Sequence, residues 1–237
     1  MKKFKQFISR PVVIGLLFLM AVGLLMGTGI EGTRAVLNEQ SSPFHATMSV
    51  DSINVALTEN GIPVVDNGYR DDDGSSGKLS LPEIEGKLKL GYMYPEQIAA
   101  SNTGEIPQFV RITIKKYWMT KENSKRVDLS PALIELKFNE DGWIKDKKSS
   151  TDEREVYYYG SVLEPGQSTT DLTSTLSVSP KVMSEKTEEN YSYNDLKFCL
   201  EASVDAVQNR HAQEAIKSTW GVTASMNGDG TRITAIQ

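Results

Sequence analysis

Two long stretches alternate apolar and polar residues with a period of two, and a chain that carries them is bound to build β-sheet. In QFVRITIKKYW (108–118), Val110, Ile112 and Ile114 point one way, while Arg111, Thr113 and Lys115 point the other. In SYNDLKFCLEASVDAV (192–207), Phe198, Leu200, Ala202, Val204 and Ala206 share a face against Lys197, Cys199, Glu201, Ser203 and Asp205. Successive side chains of a strand alternate sides, so both patterns predict strands with one buried face and one wet face.

Shorter segments repeat the theme. ALIELKF (132–138) alternates through Ile134, Leu136 and Phe138. EVYYYGSVL (155–163) is rich in β-favouring aromatics, and DLTSTLSV (171–178) holds Leu172, Leu176 and Val178 in phase. In ATMSVDSINVAL (46–57), Met48 and Val50 keep one phase and Ile53, Val55 and Leu57 the other. A slip of one residue flips every side chain, so a bulge or break is expected near Asp51–Ser52. Turn signals at Asn102-Thr-Gly104, Asp141-Gly142, Pro165-Gly166 and Asn227-Gly228 separate the strands. Residues 66–80, 145–154 and 184–190 are polar and read as exposed loops. NRHAQEAIKSTWG (209–221) alone has helical spacing, with Ala212, Ile216 and Trp220 four apart, Asn209 as the expected cap and Gly221 as the stop. Its expected place is one end of a sandwich. Many short strands without alternating helices predict an all-β, antiparallel β-sandwich with one short C-terminal helix and long polar loops.

The N-terminus is a different kind of sequence. Lys2, Lys3, Lys5 and Arg10 precede an uncharged run, Val12 to Met26, followed by small and polar residues up to Ala35. A basic start, a short apolar run and small residues at −3 and −1 (Thr33 and Ala35) make a secretory signal peptide over 1–35, cut between Ala35 and Val36. Residues 36–237 then form a single β-sandwich domain. The other reading is an uncleaved anchor. A spanning helix needs about 20 apolar residues, which this run reaches only by including Gly27 to Ile30. After cleavage no membrane span is expected.

The whole chain carries −5; removing residues 1–35 takes away five basic residues and one acid, a net +4, and leaves −9. That balance argues against nucleic acid as a partner, because phosphate binding needs clustered Lys and Arg. Cys199 is the one cysteine, so no internal disulfide can form and stability falls to the core. Cys199 reads as a packed or half-exposed side chain rather than a reactive thiol. The two histidines, His45 and His211, stand in no zinc spacing. No nucleophile elbow, phosphate loop or dinucleotide fingerprint occurs. DDDGSS (71–76) begins like a calcium loop, but Ser76 and Pro82 stand where that loop needs Gly and Glu, so a solvated acidic loop is the plainer reading. Trp118, Trp143 and Trp220 fit core packing, with a carbohydrate or peptide surface as the alternative. No catalytic, cofactor or metal residues are assigned.

Three stretches together resemble the TasA/camelysin-type exported proteins: GTRAVLNEQSSPFHATMSVDSINVAL, YPEQIAASNTGEIPQFVRITI, and FCLEASVDAVQNRHAQEAIKSTWGV with its "AVQ" (206–208) and "WG" (220–221). The likeness spans most of the chain and is loose over 60–90 and 140–190. It implies secretion by a Gram-positive bacterium, cleavage by a dedicated signal peptidase, a jelly-roll form of the sandwich, and fibres of the cell surface or biofilm matrix. Some camelysin relatives are labelled metallopeptidases. This chain lacks a zinc motif, so that activity is not carried over.

The expectation is therefore a non-enzymatic, secreted structural protein that self-associates by strand addition, with Val36 to Leu57 as the donated segment. The physics is β-augmentation, in which unpaired main-chain groups at a sheet edge accept another chain's strand. Two other readings stay open: a secreted camelysin-type metallopeptidase, and a surface adhesin or binding module tethered by an uncleaved N-terminus.

Overall fold

The computed structural model describes residues 14–22, 52–64, 74–81, 88–120, 122–184 and 197–237. Two units separate along the chain, residues 1–49 and 50–237. In the first, residues 14–22 are helical (α1) within the apolar run, with Leu16, Phe18 and Leu19 exposed. Among the described residues no helix is long and apolar enough to cross a membrane. The cut site Ala35–Val36, His45, the first half of the phase break (Met48 to Asp51) and Asp71–Asp73 lie outside the described residues.

In the second unit β1 (Val55–Glu59) returns as β2 (Ile62–Pro63) through Asn60 and Gly61, at φ 49° and 78°. Two central residues at positive φ make the hairpin turn whose twist matches that of the strands, and Asn-Gly adopts it at least cost. Then come β3 (Gly74–Lys78), β4 (Tyr94–Pro95), β5 (Ile98–Asn102), β6 (Gln108–Met119), β7 (Ile134–Phe138), β8 (Trp143–Lys145), β9 (Arg154–Tyr159), β10 (Thr173–Val178) and β11 (Lys197–Gln208). Helix α2 (Ala212–Trp220) and a hairpin of β12 (Ala224–Met226) and β13 (Ile233–Ile236) close the chain.

All strand pairs are antiparallel. One sheet has the order β3-β11-β6-β9-β8, in which β6 and β11 pair from Gln108↔Gln208 to Met119↔Lys197. The strands of β2-β1-β5 and β4-β10-β7 join into a second layer. The joints are main-chain bonds: Glu96 N to Ser174 O (3.1 Å), Leu172 N to Ile98 O (2.7 Å), Thr169 N to Ala100 O and Asn102 N to Gln167 O (both 2.8 Å). The fold is thus an all-β sandwich of two five-strand-wide layers.

The alternation read in the sequence fills the space between them. Val110, Ile112, Ile114 and Trp118 of β6 and Leu200, Ala202, Val204 and Ala206 of β11 meet Val55 and Leu57 of β1, Ile98 of β5, and Leu172, Leu176 and Val178 around β10. Leu57, Ile112, Ile114, Leu172, Leu176 and Leu200 are wholly buried, each stabilising the fold by about 1.5–3 kcal/mol relative to exposure.

The expected place of the helix needs correction. Ala212, Ile216 and Trp220 do form its buried stripe. They pack with Phe109, Val156, Tyr158, Val207, Ala224 and Ile233 in a second core, on the outer face of the β11-β6-β9 sheet rather than at an end of the sandwich. The outer face of β6 is therefore wet only along part of its length; Phe109 and Thr113 are buried there. Asn209 does not cap the helix. His211 holds the N-cap position at φ 54° with no side-chain capping bond, while Gly221 ends the helix at φ 72° as expected. A second correction concerns the loop expected over 66–80: Gly74–Lys78 is a strand, paired with Glu201–Asp205 of β11. The described half of the expected phase break, Ser52 to Asn54, is irregular chain, and regular pairing starts at Val55.

Candidate functional site

The two flanks of the sandwich differ. On one, the Glu59 carboxylate at the end of β1 accepts bonds from Ser80 N (2.9 Å), Ser80 Oγ (2.8 Å) and Leu81 N (2.7 Å), which ties β1 of the second layer to the chain leaving β3 of the other sheet. On the other flank β7 and β8 are the last strands of their sheets, and Phe138 stacks on Tyr157 at 4.7 Å between them.

Edge strand β7 offers main-chain groups. Ser179 N bonds Leu133 O at 2.9 Å, and pairing runs Val178↔Ile134, Ser177↔Glu135, Leu176↔Leu136. Ladder bonds alternate in an antiparallel pair, so Glu135 and Lys137 bond towards β10, and the peptide groups of Ile134, Leu136 and Phe138 face away from it. Their side chains point into the core. β10 is the one strand neighbour of β7 among the described residues.

Both groups of Ile134 are taken: its N–H donates to Pro131 O in the turn that leads into β7. Lys116, on the core-facing side of β6 and 6% exposed, donates from Nζ to Ile134 O at 2.7 Å. Glu155 of β9 lies on the same inner face, and its carboxylate pairs with Lys145 of β8 at 2.6 Å. Lys116, Glu155 and Lys145 thus form a charged row across three strands where the apolar core stops. Burial lowers the pKa of Lys116, with Glu155 and Asp152 pulling the other way. Tyr157 is driven up, first by burial and then by the charges of Glu155 and Glu140.

Beside this flank the sheet forks at Gly160. Its N–H bonds Gly142 O beside β8 and its C=O accepts from Ile233 N of β13, both at 2.7 Å. A Cβ there would lie 3.2 Å from Gly142 O and 3.5 Å from Ile233 O, so glycine is what lets two strands share this point. The fork opens into a cleft of about 380 Å³ lined by Glu140, Trp143, Ile144, Arg232 and Thr234, among others. A second cleft of about 480 Å³ shares Glu140 and is lined by Phe138, Asn139, Asp141, Thr170 and Asp171. Both are open and shallow, and suit an extended chain or a sugar edge better than an enclosed small molecule.

The residues singled out in the sequence do not converge. Cys199 is buried on β11, with Sγ 3.8 Å from Leu200 O. Trp118, Trp143 and Trp220 are all buried, and Trp118 and Trp143 donate from Nε1 to the carbonyls of Ser130 (2.9 Å) and Thr170 (3.1 Å). Arg111, paired with Asp205 at 2.7 Å, stands 5.4 Å above the Trp220 ring. Among the described residues no group of three or more His, Cys, Asp or Glu could hold a metal ion. Sequence reading passed over the charged row, although its signal was present: Lys116 continues the apolar phase of Ile112 and Ile114, and Glu155 that of Tyr157 and Tyr159.

No family model, curated protein or solved structure matches this chain.

Proposed function

We propose that the chain is an exported structural protein of the cell surface or extracellular matrix, which assembles by adding a strand of one copy to the open edge of the next. The observation that carries this reading is β7, a five-residue edge strand with core-facing side chains and outward peptide groups at Leu136 and Phe138. Of the other sheet ends, β3 equals β7 in length but its sequence, GSSGK, brings no apolar side chain, and two more are blunter. β2 has two residues and ends in Pro63, which cannot donate a ladder bond, and β8 has three. Strand addition that does not close on itself yields a filament. The likeness to TasA/camelysin-type proteins supports secretion, a jelly-roll strand order and release by a dedicated signal peptidase.

The donated segment needs adjusting in this reading. Of Val36 to Leu57, Val55, Ala56 and Leu57 already pair with Asn102, Ser101 and Ala100 in the molecule's own sheet. Ser52 O and Asn54 O also accept bonds from Glu105 N and Thr103 N (both 3.0 Å), so the segment free to be donated ends before Ser52. Removal of the basic, apolar leader at Ala35 would release it.

The test compares three proteins by light scattering and electron microscopy: the full chain, the chain starting at Val36, and the same chain without residues 36–51. Filaments from the second alone are the expected result. A Val36 chain that stays monomeric over a wide range of concentration and pH overturns the reading. The paired clefts around Glu140 favour one second reading, a surface module that binds an extended peptide or glycan. Glycan and peptide array binding that is lost in Arg232→Ala, with no assembly at all, would put it first.

A further inference from the structure

We propose that Lys116 is a lock on the β7 edge: by occupying the outward carbonyl of Ile134 it closes the start of that edge and leaves Leu136 and Phe138 as the ladder open to a strand from a second copy. This rests on the assembly reading above.

The Ile134 N–H already donates to Pro131 O, so a strand laid against β7 would bond the outward carbonyl of Ile134 and then the peptide groups of Leu136 and Phe138. Lys116 reaches the first of these from the opposite sheet, across the core, with Nζ 2.7 Å from the oxygen. Its position is costly. It continues the phase of Ile112, Ile114 and Trp118, where an unbranched apolar side chain would pack without dehydrating a charge. Packing thus accounts for the stem of the side chain and leaves the ammonium unexplained. Charges that point inward at a sheet edge are a known means of refusing unwanted strand pairing.

The occupant follows from the length of edge left open. In the chain before β1, Met48 and Val50 stand two residues apart in one phase. Leu136 and Phe138 stand two apart on β7, with their side chains in the core. A segment covering 46–51 of a second copy would set its two apolar residues beside these two and find the next carbonyl taken. The lock therefore fixes register as well as limiting reach, because a shift of two residues towards Ile134 would need a bond that Lys116 already makes.

The experiment uses the full chain and the chain starting at Val36, each as wild type and as Lys116→Met. Light scattering follows assembly, circular dichroism checks folding, and hydrogen exchange reads the β7 amides. Wild-type assemblies should protect the Leu136 and Phe138 amides beyond their level in the monomer; the Ile134 amide, bonded to Pro131 O, is no reporter. Lys116→Met should assemble about ten-fold faster, the worth of one bond regained at the Ile134 carbonyl. If the methionine variant does not fold, Lys116→Leu replaces it, and the wild-type exchange pattern stands as a test by itself. A folded variant that assembles no faster, or wild-type assemblies in which the Leu136 and Phe138 amides stay unprotected, overturn the lock and leave the assembly reading intact. Assembly by the variant alone upholds the lock and removes self-assembly as the native function. Failure of both proteins to assemble removes both.

Discussion

The ammonium of Lys116 lies 2.7 Å from the carbonyl oxygen of Ile134 and so ties the central strand of one sheet to the edge strand of the other. Burial holds the pKa of this lysine below its ordinary 10.5. Between the lowered value and 10.5 the unfolded chain keeps a proton that the folded chain has lost, so stability should rise with pH through that window. Tyr157 acts in the opposite sense, because its pKa is raised above 10.0 and stability falls once unfolded tyrosine ionises. Denaturant midpoints taken from neutral to strongly alkaline pH should climb and then drop. In Lys116→Met the climb should vanish while the drop remains.

Asp146 should govern part of the acid limb. It is 3% exposed, and burial alone would raise its pKa. Bonds from Lys148 N (2.9 Å), Ser149 N (3.0 Å) and the Tyr158 hydroxyl (3.3 Å) outweigh burial and pull it down. The stability it contributes is present above the ordinary aspartate value of 3.8 and is lost as pH falls through the folded one. Asp146→Asn should cost about 1–3 kcal/mol at neutral pH and flatten the loss on acidification, read by urea melts at a series of pH values.

Gly160→Ala tests the fork. The added methyl would press on the Gly142 carbonyl at 3.2 Å, which is backbone and cannot swing aside, and touch that of Ile233. Overpacking of this kind costs about 1–3 kcal/mol, to be read from chemical denaturation. Hydrogen exchange should quicken at Ile233, whose amide bonds Gly160 O.

Ile216→Ala tests the second core. Ile216 is wholly buried between α2 and the outer face of the large sheet. The truncation should cost about 2–5 kcal/mol, and the emission of Trp220, 5.2 Å from the Tyr158 ring, should change with it. A helix that only plugged an end of the sandwich would give a smaller loss.

What could be read from the sequence follows from what each residue displays. The inner faces of β6 and β11 were legible because Val110, Ile112, Ile114, Leu200 and Val204 are unambiguous apolar side chains at strand spacing. Their outer faces were not. Arg111 reads as solvated, and its cover by Trp220 comes from a helix that lies about a hundred residues further on. β3 was invisible because GSSGK has no apolar phase to show; its strand form rests on main-chain pairing with β11. The β1–β2 hairpin was legible and passed over, since Asn60-Gly61 is the pair most favoured in a two-residue hairpin turn. Lys116 was missed for a different reason. A lysine is read by its type as outward, whereas its place in the alternation says inward, and only the carbonyl it meets resolves the conflict.

The buried thiol of Cys199 gives this protein an internal clock. Its sulfur lies on the outer face of β11 opposite Tyr117, 7% exposed, under cover that must move aside before a reagent can arrive. Labelling with an aromatic disulfide should therefore be slower than for a free thiol by the equilibrium constant of that local opening. Covalently joined pairs found in an aged sample would be descendants of molecules that had come open, not links of the native assembly.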